Sequence, residues 1–593
     1  MLLAASAAPA QTGSGKSGVW SGSVNFAGGS GFKDYDSESK FKYSNFLGEG
    51  SASIGWKGEK FSVSAGFSIS DTYAKTITFG TTARLSGEEV TSLSSDLGSN
   101  LTENLTTSSA LGLLWTPSAS DSFGADLSWI TANKEFSKGT LTMDMSALFS
   151  DPDASVQYLT YGSEGYGKTG TFSAKTRWKH VFEKPAQEFL LRLETSQGSD
   201  NQSEVWEKGS IGMSDDFDYN VDKSWRTTPL YSNRRYLLSG RFSDGEFLSV
   251  KNLRADFSLE ADLGNSLDDY NSAVLIDEIW TDTPSGCGLF NYTNLTISPV
   301  AHLKWSAGGW SLETTLTPQW FHDRLSSEDR EENVSHSRFD FLAAFAGAYT
   351  FEGGHSLKLA FDRSVTRPTY LNLCWFARQG TQADELITGN PSLEPTVNNK
   401  FSLSYSFKAG RFSSDLNVGY LYSKDKMEST FHYTEIDGVN YLVYTWINAG
   451  WSGTSDASLA LKWQGEVLKA SLGGKVRRYK GVTSSGSESK SFDYSLSGEV
   501  SCTLAGSWIF LARGRFQSDI IRTYNTRTGY LGCDARIEKK FGRKRNVGVF
   551  VEGRDLFDKS IVTSTYSEDF SYVRQESCDY NRRKVLLGAS FRF

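Results

Sequence analysis

The chain ends on the ten residues Lys584-Val-Leu-Leu-Gly-Ala-Ser-Phe-Arg-Phe593. Successive side chains of a β-strand point to opposite faces, so a run with a period of two predicts a strand with two different faces. Here one face carries only apolar residues, and the other is mixed with two basic side chains. The apolar face consists of Val585, Leu587, Ala589, Phe591 and Phe593.

The same alternation recurs upstream of this terminal run. From Phe61 to Ser70, apolar residues alternate with serine and glycine, and from Leu253 to Ala261 they alternate with charged residues and serine. A soluble β-sandwich alternates in the same way, because it buries its apolar face between two sheets. The period alone therefore predicts an all-β protein and leaves sandwich and barrel open.

The spacing of the turns distinguishes these two architectures. Short turns of Gly, Pro, Asp or charged residues are separated by roughly 35 to 60 residues, each interval holding two alternating runs around a polar stretch. Tight turns at one end and long loops at the other are typical of outer-membrane β-barrels. Ten such turns bound eleven hairpins, so we predict an all-β fold, a transmembrane antiparallel β-barrel of about 22 strands with short periplasmic turns and long extracellular loops. The turns are Lys57–Lys60, Pro117–Asp121, Glu183–Ala186, Asp244–Glu246, Ser306–Gly309, Glu352–His355, Lys408–Arg411, Gln464–Glu466, Leu504–Ser507 and Phe541–Arg545.

Tryptophans cluster beside these turns. Seven of the 16 tryptophans lie within five residues of a short turn. Tryptophan is enriched where a membrane protein meets the lipid headgroups, so the short turns are predicted to lie at one membrane boundary. These residues are Trp56, Trp115, Trp178, Trp305, Trp310, Trp463 and Trp508.

Composition fits a barrel and excludes several other classes. The 593 residues are 38% hydrophobic and 13% aromatic, with 56 Gly, 11 Pro and a mean hydropathy of -0.39. No apolar run reaches the roughly 18 residues of a transmembrane helix. A net charge of -8 argues against a nucleic-acid partner. Five scattered cysteines give neither a zinc motif nor a disulfide framework, and we predict no cofactor.

The two ends of the chain carry targeting features. Residues 1–16 are interpreted as a signal-peptide remnant with cleavage after Ala10 and a short tail, the alternative being an alanine-rich tail, and residues 17–593 as the barrel. The terminal aromatic-x-Phe of Phe591 and Phe593 resembles the signal by which the barrel-assembly machinery recognises outer-membrane barrels. It implies that machinery and outer-membrane lipid as partners.

Several motifs over residues 367–593 resemble the barrel half of TonB-dependent receptors, in particular Bacteroidota-type outer-membrane β-barrel proteins. Arg367-Pro-Thr-Tyr-Leu-Asn372 is similar to the first part of their signature, and Gly389-Asn-Pro-Ser-Leu-Glu-Pro395 to the second. The residues of this chain that match the family signature are Arg367, Pro368, Gly389, Asn390, Pro391, Leu393 and Pro395. The final Glu of the signature is replaced here by Thr396. Trp446-Ile-Asn-Ala-Gly450 and Gly553-Arg-Asp-Leu-Phe-Asp558 resemble later family motifs.

The resemblance implies nutrient uptake across a Gram-negative, Bacteroidota-like outer membrane, with glycans, siderophores or peptides as substrates. It also implies an N-terminal plug and a TonB system, possible further partners being a separate plug or a surface lipoprotein. The first strand is expected near Gly18, which leaves no room for a plug, so we expect the plug to be separate, lost or cut off. The alternatives are a plugless structural or partner-binding barrel and a passive pore.

Charged residues on the face opposite the apolar one are predicted to line the lumen, where they could bind a plug, a substrate or water. These are Lys469, Lys475, Arg477, Arg513, Arg515, Asp256, Glu260 and Glu552. Aromatic residues in two loops could stack on a sugar or an apolar ligand, or simply pack the loops. They are Trp375, Phe376, Tyr444 and Trp446.

Other chemical motifs carry little weight. Gly162-Ser-Glu-Gly-Tyr-Gly-Lys-Thr169 matches the P-loop pattern, but the following residues alternate like a strand, so a flexible Gly-rich loop is the better interpretation. The acidic run Asp216–Asp222 has calcium-loop spacing without the required Gly and Glu. The six histidines are dispersed and none begins an H-E-x-x-H motif. The sequence therefore predicts a protein that is not an enzyme.

Overall fold

The computed structural model describes residues 18–593 except 33–42, 87–88, 153, 185, 212–218, 283–287, 328–329, 380–384, 437–438, 484–485, 523, 544, 558–560, 568–570 and 580–582. The predicted signal segment, residues 1–16, lies outside the described residues. So do Asp216 and Asp218 of the acidic run.

The chain forms a closed antiparallel β-barrel of 22 strands, which confirms the predicted fold class. We number the barrel strands in chain order. They are β1 (Val19–Phe32), β2 (Tyr43–Lys57), β3 (Phe61–Ser86), β4 (Glu89–Trp115), β5 (Asp121–Asp144), β6 (Gln157–Val181), β7 (Gln187–Ile211), β8 (Tyr219–Asp244), β9 (Leu253–Ile276), β10 (Gly288–Ala307), β11 (Trp310–Ser327), β12 (Arg330–Phe351), β13 (His355–Thr366), β14 (Thr396–Ala409), β15 (Phe412–Lys424), β16 (Trp451–Gln464), β17 (Leu468–Val482), β18 (Glu488–Leu504), β19 (Trp508–Gln517), β20 (Tyr530–Phe541), β21 (Val547–Arg554) and β22 (Lys584–Arg592).

The barrel closes where the first strand meets the last. Strand β1 pairs antiparallel with β22, from Ser23 opposite Arg592 to Ser30 opposite Val585. Beyond this ladder, the backbone N–H of Phe593 donates to the carbonyl of Gly22 at 3.0 Å, and the N–H of Gly22 donates back at 3.1 Å. Closure gives every edge strand a partner, which an open sheet in lipid would lack.

All ten predicted short turns join consecutive strands at one end of the barrel. Glycine makes the tightest of them possible. In the turn between β10 and β11, Gly309 has a φ of 85°, and in the turn between β12 and β13, Gly354 has a φ of 84°. Residues with a Cβ rarely adopt this left-handed region.

The barrel wall is uneven in height. Strands β3 and β4 have 26 and 27 residues, whereas β21 and β22 have 8 and 9. Since roughly 10 residues of tilted strand cross a bilayer, β3 to β9 extend well beyond it. The Gly-rich segment 162–169 lies inside the continuous strand β6, so the predicted flexible loop is wrong there. The segment resembles a loop in sequence, but it pairs with β5 on one side and β7 on the other.

Aromatic side chains form a row on the outward face beside the short turns. Trp115 stacks on Phe123 with ring centroids 5.4 Å apart, and Phe123 stacks on Trp178 at 6.4 Å. Trp310 and Tyr349 continue the row at 4.8 Å. Cross-strand register places these rings side by side. This is the arrangement of an interfacial girdle.

Two connections opposite the short turns fold into a layer against the inner face of the wall. We call residues 367–395, between β13 and β14, the inner strap. We call Met427–Ile436 with Val439–Asn448, between β15 and β16, the inner hairpin. Strap segment Glu385–Ile387 pairs in parallel with residues 442–444 of the hairpin. The only α-helix among the described residues is the single turn Tyr370–Leu373 of the strap, so none of their helices could cross a bilayer.

Candidate ligand pocket in the barrel mouth

The family-like motif folds the inner strap. Pro368 has no N–H to continue the ladder, and β13 ends at Thr366, just before it. Asn372 Oδ1 accepts a hydrogen bond from the Thr369 backbone N–H at 2.9 Å, which fixes the single helical turn. A Cβ on Gly389 would lie 2.6 Å from the backbone N and O of Cys374. Only glycine allows these two parts of the strap to approach so closely.

Ion pairs attach the strap to the inward face of the wall. Arg367 donates to Asp340 Oδ2 of β12 at 2.6 Å, and its guanidinium lies 4.4 Å from the ring centroid of Phe321 on β11. Glu394 accepts from Arg338, also on β12. This contact lowers the pKa of the Glu394 carboxyl below its ordinary value. The strap is therefore held at both of its ends.

An apolar cluster holds the middle of the strap. Phe290 of β10 and Leu325 of β11 are fully buried against Leu373 and Leu393 of the strap. Trp375 packs edge-on against Phe290, with ring centroids 5.1 Å apart. Burying this apolar surface is the main favourable term for docking a loop onto a barrel wall.

Between the strap and strands β7, β8 and β9 lies a cavity of about 500 Å³, which we call the mouth pocket. Its volume falls in the range of small-molecule sites. The wall contributes Asp200, Gln202, Glu204, Trp206, Thr227, Pro229, Tyr231, Asp268 and Tyr270. The strap and hairpin contribute Thr369, Tyr370, Leu371, Asn372, Cys374, Phe376, Arg378, Ile387, Gly389 and Trp446.

Polar groups of β7 form one side of the mouth pocket. Glu204 Oε1 accepts from Lys138 Nζ at 3.0 Å and from Ser163 Oγ at 2.7 Å. Asp200 Oδ2 accepts from Gln202 Nε2 at 2.9 Å. Trp206 is only 3% exposed and stacks on Trp225 of β8, with ring centroids 5.9 Å apart.

The strap forms the opposite side of the pocket around Arg378. Its guanidinium contacts the buried Asp268 of β9 and lies over the rings of Tyr370 and Phe376 at 5.7 and 5.6 Å. Tyr370 in turn stacks on Tyr231 of β8 at 4.6 Å. Burial raises the pKa of the Tyr370 hydroxyl and raises that of the neighbouring Cys374 thiol to about 11. The Cys374 thiol is therefore protonated and unreactive at neutral pH.

The charged residues predicted to line the lumen do not form one site. They lie on the strand faces opposite the exposed apolar residues, and many already have an ionic partner. Four pair with a neighbouring strand: Lys475 with Asp456 at 3.3 Å, Arg477 with Asp493 at 2.7 Å, Arg513 with Glu499 at 2.7 Å and Arg515 with Asp534 at 3.2 Å. Two pair along their own strand: Asp256 with Arg254 at 3.1 Å and Glu552 with Arg554 at 2.8 Å. Lys469 and Glu260 occupy the same face on β17 and β9. None of the eight lines the mouth pocket.

The four loop aromatics divide between the pocket and the packing around it. Phe376 and Trp446 line the mouth pocket. Trp375 belongs to the apolar cluster, and Tyr444 lies in the inner hairpin 5.8 Å from Phe431. Sequence pattern could not separate the two pairs, because the division depends on contacts with distant wall strands: Trp375 and Phe376 both pack against Phe290 of β10, at 5.1 and 6.0 Å, and only Phe376 also lines the pocket.

Sequence inspection missed the wall side of the pocket. Trp206 and Tyr270 occur among polar residues on the inward face of their strands, where an aromatic side chain would be unusual in a water-filled lumen. That mismatch is the signal that could have found them. The contribution of Tyr370 and Arg378 depends on how the strap folds and left no such signal.

Comparison with known proteins identifies the chain. Residues 248–593 match the model of the outer membrane protein beta-barrel family. The chain belongs to that family. This outer membrane β-barrel protein matches none of the curated proteins.

Solved structures resemble the barrel along nearly its whole length. The copper transporter OprC superposes with a TM-score of 0.61 at 10% identity, covering 97% of this chain and 83% of OprC. The ferric citrate transporter FecA gives 0.61 at 10% identity, covering 98% and 79%. The ferric-catecholate import receptor Fiu from K12 E. coli gives 0.59 at 11%, covering 97% and 81%. At such identities the likeness shows the shared fold alone, and the outer-membrane location follows from the family match.

The lining of the mouth pocket has the composition of a small-molecule site. Among the described residues, no three His, Cys, Asp or Glu side chains lie close enough to hold a metal ion. The pocket combines aromatic faces with a few fixed polar groups, the usual composition of a small-molecule site.

Proposed function

We propose that this barrel takes up a nutrient across the outer membrane, and that the mouth pocket is where the nutrient first binds. The substrate classes are those expected from the sequence: a glycan, a siderophore or a peptide. The observation that supports the proposal is the pocket itself, which is built from three wall strands and a loop that folds inward. A loop that only occluded the barrel would not need to enclose a cavity lined with aromatic rings.

Uptake through such a barrel needs a plug and an energy source as further components. We propose a TonB system as the energy source, with the plug outside the described residues or on a separate chain, and a surface lipoprotein as a further candidate partner. OprC, FecA and Fiu, which share this fold, are named for transport or import, and this supports the assignment. The Bacteroidota-type resemblance of the strap motif supports a host of that kind.

Ligand binding to the purified barrel tests the proposal. The protein is incubated in detergent with mixtures of oligosaccharides, ferric siderophores and short peptides, and bound species are identified by native mass spectrometry. Tyr370→Ala removes the ring that stacks on Tyr231 and should abolish the bound signal. Tyr405→Ala, on the outward face of β14, is the matched control. A ligand that binds the Tyr370 variant and the native protein equally would refute the pocket as its site.

A self-occluded structural barrel is the second candidate function, and the strap favours it. The layer of strap and hairpin contacts the wall from β8 to β12. Tyr433 of the hairpin contacts Tyr572, with tilted rings whose centroids are 4.4 Å apart, and the strand segment of Tyr572 pairs with β3. The layer therefore spans the mouth between β3 and β12. Planar-bilayer conductance separates the candidates from a passive pore. We expect almost no steady current from the native protein and a large current when residues 369–393 are replaced by a short Gly-Ser linker.

A further inference from the structure

Building on the proposed function, we propose that the mouth pocket selects a positively charged ligand, a basic peptide or amine whose ammonium or guanidinium group binds at Asp200. Nothing in the family match or in the names of the structural neighbours assigns such a ligand. Asp200 is the pocket carboxylate without a cation of its own, and aromatic rings line the same pocket. The indole N–H of Trp206 is a second buried group without a hydrogen-bond partner among the described residues.

Three carboxylates line the pocket, and two have their own cation. Glu204 pairs with Lys138 at 3.0 Å, and Asp268 pairs with Arg378. Asp200 is different. Its Oδ2 accepts from the neutral amide of Gln202, and its buried Oδ1 has no hydrogen-bond partner among the described residues. A buried carboxylate oxygen left without a donor is unfavourable, so this position is suited to a donor brought by a ligand.

The rings that line the pocket with Asp200 favour a cation as that donor, and one of them, Tyr231, lies opposite Asp200 in the ladder. Trp206, Tyr231, Tyr270, Tyr370 and Phe376 all line the pocket. Two of the protein's own cations already use these ring faces. Lys138 Nζ lies 5.0 Å from the Trp206 ring, and the Arg378 guanidinium lies within 6 Å of two others. Aromatic faces at this distance attract ammonium and guanidinium groups.

Trp206 contributes a second requirement. It is only 3% exposed, and its Nε1–H has no acceptor among the described residues. An indole N–H can only donate. Trp206 lies six residues from Asp200 on the extended strand β7, roughly 20 Å along the wall, so an elongated ligand with a carbonyl oxygen well separated from its positive charge is needed to reach both. A basic peptide carries both groups.

An anionic ligand would find a poorer site. The guanidinium of Arg378 is already bound to Asp268, and the ammonium of Lys138 to Glu204. Among the described lining residues, Arg378 is the one cationic side chain. A negatively charged ligand would therefore have to displace an existing buried ion pair while approaching Asp200.

Three probes with the same aromatic body test the charge preference. Tyramine is a cation at neutral pH, 4-ethylphenol is neutral and 4-hydroxyphenylacetate is an anion. Each is titrated against the full-length protein in nanodiscs and followed by ligand-observed NMR. We expect tyramine to bind at least about tenfold more tightly than either other probe. Asp200→Asn should remove this advantage and leave binding of 4-ethylphenol unchanged.

Asp269→Asn is the matched control. Asp269 follows the pocket residue Asp268 on β9, but its register partners Leu230 and Leu289 put it on the outward face. It should change the binding of none of the probes. If the anion binds as tightly as tyramine, the charge selectivity is refuted while the pocket remains a ligand site. If none of the probes binds, the pocket itself is refuted as a ligand site, and this inference with it.

Discussion

The ion pair between Arg367 and Asp340 should control how often the inner strap leaves the wall. Asp340→Ala removes the acceptor 2.6 Å from the Arg367 guanidinium and leaves that cation over Phe321 without a carboxylate. A hydrogen bond to a charged group contributes about 1.5–3 kcal/mol, and a pair that is partly exposed falls at the lower end. The side chains of Arg367 and Asp340 are 18% and 20% exposed. We therefore expect the free energy of strap opening to fall by about 1.5–2 kcal/mol.

Cys374 provides a direct assay of that opening. It lies in the strap with only 2% of its surface exposed, and burial raises the pKa of its thiol to about 11, so a thiol reagent reacts with it only when the strap opens. The other four cysteines are replaced by alanine, and the labelling rate of Cys374 is measured with 4,4′-dithiodipyridine. A loss of 1.5–2 kcal/mol predicts a rate increase of roughly 10- to 30-fold.

An inward-facing carboxylate away from the strap serves as the control for this experiment. Asp362 on β13 is exposed and lies opposite Ala344 in the ladder, so Asp362→Ala should leave the Cys374 labelling rate unchanged. The reasoning would be refuted if Asp340→Ala labelled no faster than the Asp362 control. It would also be refuted if both variants accelerated labelling equally, since that would indicate a general loosening of the barrel.

Three further outcomes are expected. Arg338 lowers the pKa of the Glu394 carboxyl, so this ion pair stabilises the closed strap above pH 4.5, the ordinary pKa of glutamate. That stabilisation is lost as the pH falls through the lowered pKa. Glu394→Gln should therefore speed Cys374 labelling at pH 7, and the ratio of its labelling rate to that of the wild type should return to one in acid. A Cβ on Gly29 would lie 1.9 Å from a backbone oxygen of β22, whereas a Cβ on Gly28 would have no atom nearer than 3.9 Å. Gly29→Ala should therefore lower the folded fraction in a heat-modifiability gel, and Gly28→Ala should leave it unchanged. Phe593→Ala should slow assembly into vesicles while a folded barrel, once formed, keeps its thermal stability within a few degrees, and unchanged assembly kinetics would argue against the insertion signal.

The architecture could be predicted because its signals are local. A period of two along Phe61–Ser70 indicates a strand, and a few turn residues such as Ser306–Gly309 indicate where a hairpin bends. Counting turns needs no knowledge of contacts, so the strand number and the tryptophan girdle followed from sequence. The predicted extent of one strand was wrong. Segment 162–169 was predicted to be a loop because glycine lowers local strand propensity, but it pairs with both β5 and β7 and so forms part of β6.

The pocket illustrates the opposite case. The sequence by itself determined that Arg367, Gly389 and Leu393 form a motif, and that Phe376 and Trp446 lie in connections between barrel strands. It predicted a loop at Trp446, whereas the structure has this residue in a strand of the inner hairpin. Only the tertiary structure decided that the strap folds back onto β7, β8 and β9, some 150 residues earlier in the chain, and encloses a cavity with Asp200 in its wall. Local sequence sets the period and the turns, because these depend on neighbouring backbone geometry. A pocket depends on which distant side chains meet, and that is decided by barrel closure and by the burial of the strap's apolar face.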